Sequence, residues 1–166
     1  EKLDFAEIVR GALVAEAIDT LAARGVITAD EARLADPDGI AWLLGTETGK
    51  RVVTAAKRVK ALDRGIKLRR EISFAWAGAV GEHAQSAGDL QTVRGVIDLL
   101  IAESARNRAE IIDYKTDSAW TWQGNLEAYR RQMELYLRAA SEILGYHVER
   151  ATLVFLAARE VVEVAG

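Results

Sequence analysis

Apolar residues at Phe5, Ile8, Val9, Ala12, Leu13, Ile18 and Leu21 recur largely at intervals of three and four, which predicts an amphipathic helix ending near Gly25. Thr28-Ala-Asp-Glu31 has the form of a capping box and opens a second, shorter helix. Pro37, the only proline, falls in an expected loop, Ala35-Asp-Pro-Asp-Gly39. Residues 40–62 read as helical, interrupted by Gly45 and Gly49, and Lys67 to Trp76 alternates as a first strand, with Ser86-Ala-Gly-Asp89 as a loop. Two extended runs follow, Val93 to Glu103 and Glu110 to Asp117, and the turn-like Ser104-Ala-Arg-Asn107 between them predicts a hairpin. The clearest helix spans Trp122 to Leu144, with Leu126, Met133, Leu137, Ala140 and Leu144 as its buried stripe. It stops before Gly145, Ala151 to Leu156 is a further strand, and Val161-Val-Glu-Val164 is strand-like. Helices first, then three strands, a helix and a strand, predict an α/β fold with a mixed sheet.

The hairpin carries charge where a core should be apolar. Val96, Ile97, Leu99, Leu100 and Ile101 surround Asp98, so the run reads as a strand covered on both faces. A carboxylate there costs several kcal/mol unless it is neutralised, roughly the 2–7 kcal/mol of an unpaired buried polar group or more. Ile111-Ile112-Asp113-Tyr114-Lys115 repeats the problem, and strand alternation puts Asp113 and Lys115 on one face with Tyr114 on the other. A buried ion pair of Lys115 with either acid is the simplest explanation. Against it stand two acids to one base, both acids inside apolar runs, and a D-x-K spacing that fixes one acid and the lysine on a common face; the hairpin could bring Asp98 near Asp113. Two carboxylates and a lysine at the edge of a core point instead to a hydrolytic site for a hard divalent cation, Mg²⁺ or Mn²⁺, with Lys115 orienting or deprotonating the attacking water.

Composition narrows the alternatives. The 166 residues suit one domain, and 50% hydrophobic with 28% charged residues is an ordinary globular balance. There is no cysteine, which excludes a disulfide scaffold, an iron–sulfur cluster and a thiolate zinc site, and fits the reducing cytoplasm. No apolar run approaches the roughly 18 residues that would span a membrane. The first residue is Glu, and the chain, residues 1–166, reads as a single domain cut from something longer. Net charge is −3, yet Lys50, Arg51, Lys57, Arg58, Lys60, Arg64, Lys67, Arg69 and Arg70 stand against Asp63 alone in one segment. That asymmetry suits either a solvated helix face or a surface turned towards phosphates. Gly45-Thr-Glu-Thr-Gly49-Lys50-Arg51 is one residue short of a phosphate-binding loop and has Arg where the hydroxyl belongs. His83 and His147 are the only histidines and have no partners for zinc or nucleophilic catalysis.

With these residues in view, the chain resembles the PD-(D/E)XK nuclease superfamily, and within it the RecB/AddA-type C-terminal nuclease domain of helicase–nucleases. The resemblance rests on G-x-x-D in Gly95-Val-Ile-Asp98, D-Y-K-T in Asp113-Tyr-Lys-Thr116, Q-x-x-x-Y in Gln132-Met-Glu-Leu-Tyr136 and an R-E-x-x-F pattern in Arg70-Glu-Ile-Ser-Phe74. It implies a restriction-endonuclease-like mixed sheet flanked by helices, with an N-terminal helical segment. It also implies Asp98, Asp113 and the Tyr114 carbonyl as metal ligands, Lys115 as the residue that positions water, and Gln132 and Tyr136 beside the scissile strand or Lys115. Glu71 would assist, unless it only pairs with Arg69 or Arg70. The expected activity is Mg²⁺- or Mn²⁺-dependent DNA hydrolysis during end processing and recombinational repair. DNA and a helicase domain or subunit would be the partners, without a membrane. One position departs from the family, whose first helix carries a ligand histidine in a G-T-x-x-H-like motif; here Ala15 falls in its place. A degenerate nuclease fold that only binds DNA or a partner subunit is therefore the alternative. A stand-alone nuclease of the CRISPR-adaptation type is disfavoured, because its four cluster-binding cysteines are missing.

Overall fold

In a computed structural model, which describes residues 5–79, 90–117 and 120–165, the extended runs form β1 (Ile66–Ala79), β2 (Leu90–Glu103), β3 (Arg108–Lys115), β4 (His147–Phe155) and β5 (Glu160–Ala165). They make one sheet in chain order, antiparallel except for β3 and β4. That parallel pair needs a crossover connection, and the helix α5 (Trp122–Leu144) supplies it. α5 covers one face of the sheet, packing Met133, Tyr136, Leu137 and Ala140 on Ile97, Leu100, Ile111, Leu153 and Phe155. The opposite face, with Ile66, Leu99, Ile101, Ile112 and Val154, is covered by Leu43 of α3 (Pro37–Gly45) and Ala55 of α4 (Glu47–Lys60). Before them come α1 (Phe5–Ala23), which packs chiefly on α3, and α2 (Ala29–Leu34). The mixed, helix-flanked sheet and N-terminal helical segment are those expected.

Local chemistry accounts for the boundaries. Gly25, at φ 67°, follows the end of α1. The Thr28 side chain accepts from the Glu31 N–H while the Glu31 carboxylate accepts from the Thr28 N–H, a complete capping box. Two expectations need correction. Pro37 is not in a loop: it opens α3 at a position where a missing N–H is harmless, behind the N-cap Asp36. Residues 40–62 are not one interrupted helix but parts of two, divided at Thr46, whose side chain accepts from the Gly49 N–H and starts α4. Gly49 does not interrupt anything. A Cβ there would meet the Leu43 carbonyl oxygen at 1.9 Å, so glycine lets α4 start directly against the end of α3. The hairpin turn is as expected, a short 3₁₀ turn at Ser104–Arg106 closed by Asn107 at φ 50°. The expected loop at Ser86–Asp89 lies outside the described residues.

β1 and β2 change faces together half-way along. Ile66 and Leu68 pack on the α4 side, whereas Ile72 and Phe74 pack on the α5 side. Strict alternation would keep these even-numbered residues on one face. On β2, Leu99 and Ile101 face α4, but Ile97 faces α5. The reversal falls at Glu71, at φ 51°, which lies opposite Asp98 between the pairs Arg70↔Leu99 and Ile72↔Ile97. Beyond that point the run is not covered on both faces as expected, and Val96 is 43% exposed. The β1–β2 ribbon has turned over, and α5 now covers its inner side.

Candidate metal-dependent active site

The turn-over opens the sheet between its second and third strands. Pairing of β2 with β3 runs from Glu103↔Arg108 to Leu99↔Ile112 and ends there. β2 remains paired with β1 as far as Leu90, and β3 with β4 as far as Lys115. Asp98 and Asp113, the next residue out on each strand, therefore stand at the mouth of a V. Across it, the Tyr114 N–H donates to Asp98 Oδ2 at 2.8 Å, a side-chain bond in place of a ladder bond. A residue in extended backbone directs its N–H and C=O to the same side, so the Tyr114 carbonyl is also turned into the V. The Tyr114 side chain packs on the opposite face from Asp113 and Lys115, as alternation predicts.

Asp113 is 3% exposed. Burial raises its carboxyl above the usual range and the Asp98 charge adds to this, while Lys115 opposes it. Lys115 Nζ lies 2.6 Å from Asp113 Oδ2, an ion-pair distance but off the hydrogen-bond direction. The buried oxygen is thus left without a directed donor. Burial, with Asp98 adding to it, likewise raises the Tyr114 phenol.

α5 lays three polar side chains over this group at spacings of three and four, Tyr129, Gln132 and Tyr136. Lys115 Nζ donates to Gln132 Oε1 at 3.0 Å and lies 4.3 Å from the centre of the Tyr129 ring. Gln132 Nε2 donates to the Tyr136 hydroxyl at 2.9 Å. Tyr129 in turn donates to Asp117 Oδ2, and Asn125 donates to Asp117 Oδ1, which pins the end of the D-Y-K-T segment to the helix. These bonds, that of Asn125 first, hold the Asp117 carboxyl below its ordinary range.

Asp98, Asp113, Tyr114 and Lys115 are thus brought together, with Gln132 touching Lys115 directly and Tyr136 reaching it only through Gln132. Glu71 is exposed, opposite Asp98, and makes no ion pair with Arg69 or Arg70. Tyr129, Asp117 and Asn125 were not singled out in the sequence. The signal for Tyr129 was its place on the Gln132–Tyr136 stripe, while nothing local distinguished Asn125. Ala15 is half-buried in α1 and brings no nitrogen donor. His147 is exposed at the start of β4, and His83 lies outside the described residues. The segment resembling a phosphate-binding loop is the α3–α4 junction, with no strand before it among the described residues.

The basic segment is partly neutralised. Arg51 makes a two-pronged contact with Glu110, Arg58 binds Asp63 and Glu103, and Lys50 pairs with Glu47. Lys57, Lys60, Arg64, Arg69 and Arg70 stay exposed, with no ion pair among the described residues.

The family model for the PD-(D/E)XK nuclease superfamily matches residues 3–165, nearly the whole chain and every element of the V. The chain belongs to the PD-(D/E)XK nuclease superfamily. It is 30% identical over 140 residues to an ATP-dependent helicase/nuclease subunit of Carboxydothermus hydrogenoformans, a match covering 83% of this chain and 11% of the relative. Over 137 residues it is 30% identical to the same-named protein of Desulforamulus reducens, with 80% and 10% covered. Against that of Bacillus pumilus it is 25% identical over 150 residues, with 83% and 11% covered. The chain thus spans about a tenth of the length of the curated relatives it matches.

The donors fit the divalent ion such nucleases generally use. Asp113 Oδ2 is buried without a directed donor, Asp98 keeps Oδ1 free of the Tyr114 bond, and the third group in the V is a carbonyl. All are hard oxygens, the ligands Mg²⁺ and Mn²⁺ accept. The described residues do not gather three His, Cys, Asp or Glu side chains that could hold a metal ion. Among the same residues, no helix is long and apolar enough to cross a membrane.

Proposed function

We propose that this chain is a Mg²⁺- or Mn²⁺-dependent deoxyribonuclease that hydrolyses phosphodiester bonds at DNA ends. The observation that carries this reading is the V: two carboxylates and a lysine converge where β2 and β3 part, and the buried Asp113 oxygen lacks a directed donor. Asp98, Asp113 and the Tyr114 carbonyl hold the cation, which when bound supplies Lewis-acid stabilisation of phosphoryl charge and makes water a better nucleophile. Lys115 aligns the attacking water and stabilises the negative charge that develops on the phosphate. Gln132, Tyr129 and Asp113 hold the ammonium in place. Glu71, opposite Asp98, assists from the exposed side of the ribbon. Its left-handed backbone is unfavourable for most side chains other than glycine or asparagine, and strain of this kind clusters at functional sites.

Its relatives are helicase/nuclease subunits, so the proposed setting is recombinational repair in the cytoplasm, as one domain of a longer chain whose helicase feeds it DNA. Ala15 in place of the family histidine favours weak metal binding, and it is the one feature in favour of a module that binds DNA or a partner without cutting. Calorimetry separates the two readings. The nuclease binds Mn²⁺ and loses that binding in Asp113→Ala, whereas a degenerate module gives no heat in either form.

A further inference from the structure

Tyr136 is 7% exposed, too deep to touch a DNA strand, yet it carries a hydroxyl into the neighbourhood of the site. Its ring rests on a cross-strand pair of β1 and β2. Phe74 meets it edge-on with ring centres 5.0 Å apart. Beside Phe74 lies the bare backbone of Gly95, where a Cβ would come within 2.5 Å of the Tyr136 hydroxyl and 2.8 Å of two ring carbons. Gly95 is not at a positive φ, so no turn requires a glycine there. The close approach of the ring does.

Lysine is a donor only, so the Gln132 oxygen must face Lys115 and its NH₂ group must face away, towards Tyr136. The Tyr136 hydroxyl accepts from that NH₂ group and so anchors the amide in the orientation that Lys115 selects. We infer that Gly95 and Tyr136 are positioning residues: Gly95 leaves room for Tyr136, which locks the Gln132 amide so that its carbonyl holds Lys115 against Asp113. The G-x-x-D and Q-x-x-x-Y motifs are then two sides of one contact, the first supplying a metal ligand and the seat for the second. The catalytic consequence rests on the nuclease function proposed above.

The test combines kinetics with the side-chain amide signal of Gln132 in ¹⁵N NMR, assigned by its loss in Gln132→Ala. Tyr136→Phe keeps the ring and removes the acceptor, and kcat should fall about ten-fold with KM unchanged, the scale of one lost hydrogen bond. Gly95→Ala displaces the ring and should lower kcat about a hundred-fold, the scale of a 1 Å misplacement. Both should move the Gln132 signal, and Mn²⁺ affinity should stay as in the wild type. In a Tyr136→Ala background, Gly95→Ala should cost nothing further, because the contact it disrupts is already absent. If Gly95→Ala does not fold, Tyr136→Phe carries the test alone. An unmoved Gln132 signal in Tyr136→Phe, or equal losses from Gly95→Ala with and without Tyr136, would overturn the inference. A wild type that cuts no DNA, with the Gln132 signal still shifting, would instead reject the nuclease function and leave the contact standing.

Discussion

Asp113 is an acid whose folded surroundings disfavour its charge, first by burial and then through Asp98. A raised carboxyl binds a proton in the folded chain at pH values where the unfolded chain has lost it. Stability without metal therefore falls as pH rises from the ordinary Asp range through the raised one. Asp113→Asn removes that loss, so in EDTA its Tm should exceed the wild type's at pH 7, and the gain should shrink as pH falls towards 4. Asp98→Asn should act in the same direction by relieving the neighbouring charge. Thermal denaturation across pH checks both, and a lower Tm for Asp113→Asn at pH 7 would mean the ion pair with Lys115 outweighs burial. Asp98, Asp113 and Lys115 were legible because charges inside apolar runs contradict their own surroundings. Tyr129 and Asn125 were less so, since a polar residue on a helix face has no such contradiction and acquires its meaning only from the strand beneath it.

At the scale of elements, the two strands turn over at Glu71 and Asp98, and this parts β2 from β3. Glu71→Gly should keep the turn and relieve the positive φ, raising stability by about 1 kcal/mol. Cleavage should nevertheless fall, because the carboxylate is gone. A variant that is more stable and equally active would show that Glu71 is there for no chemical purpose. α1 carries the other departure. Ala15→His should tighten Mn²⁺ binding by calorimetry more than Mg²⁺ binding, since nitrogen ligands favour transition metals; unchanged affinity would place residue 15 away from the V. Helices, strands and the hairpin were legible from periodicity and caps. The helix break at Thr46 was not, because Gly49 looks like the interruption when its real function is close packing on Leu43. The change of faces was hidden for a similar reason: a positive φ at a glutamate leaves no mark in composition.

For the whole molecule, charge counting along the chain overstated the basic face. Glu47, Asp63, Glu103 and Glu110 come from before, within and beyond the segment to neutralise Lys50, Arg58 and Arg51, and only folding brings the last two acids there. The remaining candidates for phosphate contact are Lys57, Lys60, Arg64, Arg69 and Arg70. Reversing Lys57, Lys60 and Arg64 to Glu should weaken DNA binding regardless of sequence and flatten its salt dependence by about 0.7–0.9 per lost contact. An unchanged slope in a salt titration would make this a solvated face. Incubation with end-labelled single- and double-stranded DNA in Mg²⁺, Mn²⁺ or EDTA tests the chemistry at the V most directly. Cleavage should require the cation, disappear in Asp113→Ala and slow by roughly 10²-fold or more in Lys115→Ala, the scale of one lost donor to developing charge. Cleavage that persists in EDTA, or undiminished in Asp113→Ala, would contradict it.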